Sequence, residues 1–381
     1  MKDNKKKVVI TGLAVVLAAA MALGGGTYAY LQGTTEDVVN NFNTNKVLVE
    51  LNETTGNDYN IIPGTTQEKD PKVTVDATVD SYVYVEVTDA TKGLVSYAIA
   101  DGWEKLDGYD NVYYREVKSS NEKQEFYVLK DNKVTYDAAL GNDDMLSIPS
   151  IGYLKSGVKL SFKAHAIQKN GFADAVSAYK GIPVTVSTGT EFKNALGSVK
   201  EGQTIKLEKD ISIVHTGTHP DGTYDTYIVT PNCTIDLNGK TLSVTNRKNG
   251  DPFSLAANNI TLKNGVINLT NQGANYPLYV TSGAKNVVID GVTVIGGMQV
   301  IGNSSATLRN VDITAGDYYD VYLEHNSTVT IESGSFKRSG NNAHIYTAKN
   351  TDTVIVNGGL FDGSETPIHA GNGKITVNSG R

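Results

Sequence analysis

Among its 381 residues the chain has one cysteine, Cys233, and one tryptophan, Trp103. A single cysteine excludes an internal disulfide, so stability has to come from an apolar core and from backbone pairing. Cys233 lies in an apolar stretch and reads as a small buried residue. Basic residues cluster only in the first seven positions, and the formal charge is -7. A nucleic-acid partner is therefore excluded. His-Glu-x-x-His is absent, and His165 is the only histidine before residue 200. A zinc hydrolase, which needs about three protein ligands and a base, finds no support there. The longest apolar run, Val8 to Leu23, falls short of the ~20 residues that a membrane-spanning helix requires.

Glycine (38) and tyrosine (21 against 8 phenylalanines) are plentiful, as in a turn-rich β protein whose rings keep one edge wet. At the start, Lys5-Lys6-Lys7, the run Val8–Leu23, Gly24-Gly25-Gly26 and Thr27-Tyr28-Ala29 have the order of a signal peptide. A leader over 1–29 cleaved after Ala29 predicts a secreted, extracellular or cell-surface protein with no membrane association afterwards. Loss of the basic leader makes the mature surface more acidic still.

A short apolar-polar-apolar motif running into Asn-Gly organises the second half. It occurs at Asn259–Gly265 and returns around Leu237, Ile289, Leu308, Ile331, Val356 and Val377. Spacings in the low twenties indicate a solenoid over 183–381. Asn238, Asn264, Asn310, Asn357 and Asn378 fall at the bends, where asparagine tolerates left-handed geometry and bonds along a stack. Before the first coil, Phe192, Leu196 and Val199 share one face of a predicted helix that Thr190 would cap. Such a helix would cover the open end of the solenoid. A helix followed by Gly202-Gln203-Thr204-Ile205-Lys206-Leu207 resembles the start of pectin-lyase-like right-handed parallel β-helices. No terminal cap is recognisable before Arg381, so the solenoid is expected to be incomplete or partner-protected at that end.

Between 30 and 182, Lys72–Ala77 and Ser81–Val87 alternate with period two, and further short β runs follow with no long helical pattern. This predicts a sandwich. The ordered set Gly24–Ala29, Asn41-Phe42-Asn43, Val47–Leu51, Ile62-Pro63-Gly64, Lys69-Asp70-Pro71, Tyr82–Val85, Trp103, Tyr113-Tyr114 and Ala164–Gln168 resembles the TasA/camelysin family of exported Firmicutes proteins. That resemblance implies a jelly-roll-like sandwich, processing by a dedicated signal peptidase and a role in surface fibres or biofilm matrix. Residues 30–45 would then donate a strand to a neighbouring subunit. Their polar character (Thr34-Thr35-Glu36-Asp37) equally fits a plain flexible terminus. The expected fold class is all-β, a jelly-roll-like sandwich followed by a right-handed parallel β-helix.

A second strand precedes each motif. Its alternation places Leu278, Val321, Ile345 and Ile368 inward and Tyr279, Gln299, Tyr322, Tyr346 and His369 outward in one ladder. Asp320 and His344, two residues earlier, are expected on the same outer face. Such a ladder reads either as a platform for cell-wall or host glycans or as a stack that stabilises the sheet. The leading expectation is a structural or adhesive protein without cofactors. The rival is a polysaccharide lyase or glycoside hydrolase that would draw on Arg309, Asp317, Asp320 and Glu324, although the compact Asp motifs of such enzymes are missing. His215 and His219 form a weak metal candidate in a loop broken by Gly217 and Pro220, with Asp221 and Asp225 nearby.

Overall fold

The computed structural model describes residues 45–380 apart from 57–58, 142–158, 221, 246–251, 271–275, 316–318, 339–342 and 363–367. The expected leader, nearly all of the expected donor segment 30–45, and also Asp221 and Asp317 therefore lie outside the described residues. Of the described residues, 49% are in strands and 7% in helices.

Two longer-stranded antiparallel sheets form the core of the first part, beside a small antiparallel sheet of Thr66–Glu68, Lys133–Tyr136 and Val95–Ser96. One pairs Val47–Asn52 with Lys72–Ala77 and Gln124–Tyr127. The other orders Leu160–Gln168, Ser81–Asp89, Val112–Val117 and Glu104–Lys105. Val73, Val75 and Ala77 from the first sheet share a core with Val83, Val85, Val87 and Val117 from the second. Trp103 belongs to this core, and its Nε1 donates to the Tyr127 carbonyl at 2.9 Å.

The strand Ser81–Asp89 is buried on both faces rather than one. Its outer residues Tyr82, Tyr84 and Glu86 lie under a helix that the sequence reading missed, α1 (Ala175–Lys180). Asp174 and Ser177 close a capping box at its start. Tyr84 donates its hydroxyl to the Ala175 carbonyl at 2.7 Å, and Tyr179 donates to Glu86 at 2.5 Å. His165 is a strand residue whose Nε2 lies 3.0 Å from Glu86. Burial alone would raise the Glu86 carboxyl, but hydrogen bonds with His165 and Tyr179 outweigh it and hold the group below its usual value.

The second part is a β-solenoid of about seven turns. Each coil contributes to three faces. The first face stacks Val184–Val186, Thr204–Leu207, Thr234–Asp236, the start of Thr261–Leu269, the start of Val287–Ile295, Ser305–Arg309, Thr328–Ile331, Thr353–Val356 and Lys374–Val377. The second stacks Ile211–Val214, Thr241–Thr245, Val311–Ala315, Gly334–Arg338 and Leu360–Asp362 with the ends of the two long strands. The third stacks Tyr227–Ile228, Phe253–Leu255, Leu278–Val280, Met298–Ile301, Val321–Glu324, Ile345–Thr347 and Ile368–Ala370.

Inside, Ile235, Leu262, Ile289, Leu308, Ile331 and Val356 form one column in parallel register, all without exposure. Burying each such side chain contributes roughly 1.5–3 kcal/mol relative to leaving it in water. Ile235, not Leu237, is the residue in register with Leu262. Leu237 instead packs at the bend, where a Cβ on Gly265 would lie 2.4 Å from its Cβ. The cap is helix α2 (Gly189–Ser198), with Phe192 and Leu196 fully buried and Phe192 5.6 Å from the Phe253 ring. Its N-cap is Thr188, in a capping box with Glu191, not Thr190.

Asn238, Asn264 and Asn310 do adopt positive φ at the bends; Asn357 and Asn378 do not, and instead Asn378 Nδ2 donates a hydrogen bond to Asn357 Oδ1 at 2.8 Å. The opposite edge of the first face carries a second asparagine column. Asn232, Asn259 and Asn286 all have φ near +57°, and each amide donates to the one in the coil before, at 2.7 and 3.1 Å.

Candidate functional site

The outer side of the third face carries the ladder. Tyr279, Gln299, Tyr322, Tyr346 and His369 are consecutive partners in parallel register. Alternation alone produces this, because Leu278, Met298, Val321 and Ile345 point into the core and force their neighbours outward. Tyr322 and Tyr346 stack with ring centroids 5.8 Å apart and planes at 14°, and Tyr346 stacks on His369 at 5.5 Å and 29°. Two rings from outside the strands join them. Tyr319 stacks on Tyr346 at 4.5 Å and 18°, and Tyr276 on Tyr322 at 6.4 Å and 27°. The Tyr319 backbone N–H donates to the Tyr276 hydroxyl at 3.2 Å. Gly297, at φ +76°, makes room for this arrangement, since a Cβ there would meet the Tyr276 ring at 2.9 Å and the Tyr319 carbonyl oxygen at 2.6 Å.

The orientation of the rings decides what the ladder can do. Flat sugar platforms need ring faces open to solvent. Here the faces of Tyr322 and Tyr346 are turned on one another and on Tyr319, Tyr276 and His369, so the stack offers mainly ring edges and hydroxyls. Burial, with Glu324 beside it, pushes the Tyr322 phenol up to about 12. The hydroxyl thus stays protonated as a donor at neutral pH. Gln299 interrupts the aromatic run between Tyr279 and Tyr322.

Asp320 and His344 are not on the outer face. Both are fully buried, and His344 Nδ1 lies 2.5 Å from Asp320 Oδ2. The Ala315 N–H donates to Asp320 Oδ1 at 2.6 Å. Strand alternation failed because the two strands begin one residue later, at Val321 and Ile345. Asp320 and His344 occupy the corner, where the period of two does not apply.

The catalytic candidates do not converge. Arg309 is on the outer side of the first face, bound to Glu332 of the next coil. Glu324 is on the third face, 3.6 Å from Lys349 Nζ and 3.7 Å from His325 Nε2. Asp320 is sealed in its corner. His215 and His219 also separate. His215 Nδ1 lies 3.0 Å from Asp225 Oδ1, while His219 packs on α2, where a Cβ on Gly197 would be 2.4 Å from its Nδ1. Lys193 completes the Asp225 cluster at 2.8 Å. Among the described residues no three His, Cys, Asp or Glu side chains group as a metal site. No described helix is long and apolar enough to cross a membrane.

No family model, curated protein or solved structure matches the chain.

Proposed function

We propose that this is a non-catalytic protein of the bacterial cell surface or biofilm matrix, in which a jelly-roll-like sandwich related to the TasA/camelysin group carries a solenoid that binds a polymer along its tyrosine edge. The observation that supports it most is the stack of Tyr322, Tyr346 and His369, extended by Tyr319 and Tyr276. A row of ring edges on successive coils, interrupted at Gln299 and with Glu324 beside it, suits hydrogen bonding to an extended chain of repeating hydroxyls, such as a cell-wall or host glycan. The dispersal of Arg309, Asp320 and Glu324 over a surface face, a sealed corner and a different face argues against the lyase or hydrolase reading.

The test is a binding and turnover assay on the mature chain with a panel of cell-wall and host polysaccharides. Retention on a polysaccharide column, lost in a Tyr322→Ala/Tyr346→Ala variant and without new reducing ends or unsaturated products, is the expected result. Product formation that survives repurification would establish the enzyme instead. Retention unaffected by the double substitution would remove the ladder from the binding surface.

A further inference from the structure

The outer side of the first face holds a charge pattern that the tyrosine ladder does not involve. Lys206, Asp236, Lys263, Asp290 and Arg309 are consecutive register partners, and Glu332 continues the column as the residue bonded to Arg309. The signs alternate strictly over six coils. Neighbour pairing within the chain accounts for part of this. Lys263 Nζ lies 3.5 Å from Asp236, and Arg309 binds Glu332. It does not account for Lys206, which pairs with no carboxylate among the described residues.

An alternating column of six charges has a further property: reversed end to end, it becomes its own complement. We propose that this face is a self-association surface on which two copies of the chain meet about a two-fold axis lying along the strand direction between the third and fourth coils of the column. In that arrangement Lys206 faces Glu332 of the partner subunit, Asp236 faces the partner's Arg309, and Lys263 faces the partner's Asp290, each contact occurring twice. The neighbouring column passes the same operation without a clash of character. Thr204, Thr234, Thr261, Val288, Thr307 and Thr330 are in register, so Thr meets Thr in two of the three pairings and Thr meets Val in the third.

The surroundings fit a flat contact. The turns bordering this face are tight, built on Asn238-Gly239, Asn264 and Asn310 on one side and on Asn232, Asn259 and Asn286 on the other. Two outward residues on most strands over six coils, with the bend residues beside them, give on the order of 1,000 Å² buried for both copies, at the lower end of specific interfaces. With little apolar area, charge supplies orientation and register more than affinity. The dimer is therefore weak and sensitive to salt.

Sedimentation velocity on the mature chain tests this. Wild type is expected to associate with concentration at low ionic strength and to dissociate as salt rises from about 0.05 M to about 0.5 M, where the Debye length falls well below the contact scale. Lys206→Glu breaks no ion pair within the chain, yet sets acid against acid at both ends of the dimer; association should weaken about tenfold. Glu332→Lys should do the same with bases. Mixed one to one, the two variants face each other with opposite charges at both ends, and the heterodimer should recover wild-type affinity. A wild type that stays monomeric at low salt, a dimer indifferent to Lys206→Glu, or a mixture no stronger than its components would each overturn the proposal. Circular dichroism on both variants separates loss of association from loss of fold.

Discussion

His344 and Asp320 meet at a corner of the solenoid, Nδ1 to Oδ2 at 2.5 Å, with neither residue exposed to solvent. Asp320 also accepts the Ala315 N–H, so its carboxylate ties the end of one strand to the start of the next coil's third-face strand. Removing one partner of a buried pair costs about 3–5 kcal/mol, because the survivor is left desolvated. Asp320→Ala is expected to fall at the upper end of that range, since it strands both the imidazole and a backbone donor. His344→Ala should cost less. The double variant should be milder than the sum of the two. Urea unfolding of all three against wild type checks this, and strict additivity would mean that the pair is not coupled.

Tyr346 lies between Tyr322, Tyr319 and His369. Each aromatic contact is worth about 0.5–1.5 kcal/mol beyond burial, so Tyr346→Ala should lower stability by about 2–4 kcal/mol. Tyr346→Phe keeps the ring and should stay within about 0.5 kcal/mol of wild type. The phenylalanine variant therefore isolates the hydroxyl. Wild-type stability with weakened polysaccharide retention is the expected combination, read by thermal unfolding and affinity chromatography.

The solenoid and its outward ladder were legible because both rest on periodicity. A repeat in the low twenties sets the coil, and a period of two sets which side chains leave the core. What was not legible lies where those periods stop. Asp320 and His344 sit one residue outside their strands, so alternation assigned them to the wrong side. Asn238-Gly239 looks like the other bends and so points to Leu237, yet Ile235 holds the register. Helix α1 is six residues long, too short to show a helical repeat. Its signal was the Asp174/Ser177 capping box. The Asn232, Asn259 and Asn286 column could have been found by aligning the residues two before Thr234, Thr261 and Val288.

The start of α2 gives a sharp check on a two-residue difference. Thr188 accepts the Glu191 N–H at 3.2 Å, and Glu191 returns to the Thr188 N–H. Thr190 lies within the first turn. Thr188→Ala should cost about 1 kcal/mol, whereas Thr190→Ala should change little, because an interior threonine is only slightly worse than alanine. Since α2 covers the first coil through Phe192 and Leu196, the loss at Thr188 should appear as a lower midpoint in thermal unfolding. Equal effects at the two positions would place the cap elsewhere.

Asp225 sets a pH dependence of known sign. Its carboxyl is held at about 2, below the ordinary 3.8; burial would raise it, but hydrogen bonds from Lys193 and Thr216 prevail. A carboxyl depressed on folding contributes stability that is complete above its unfolded value. That stability is lost as pH falls through the folded one. The window is therefore from about pH 4 down to about pH 2, and the contribution at neutral pH is about 2 kcal/mol. Asp225→Asn should be less stable than wild type by about that amount at pH 7, and the gap should close as pH drops through the window. Chemical unfolding at a series of pH values measures both curves. A gap that stays constant to pH 2 would show that the Asp225 ionisation is not what the Lys193 and Thr216 contacts stabilise.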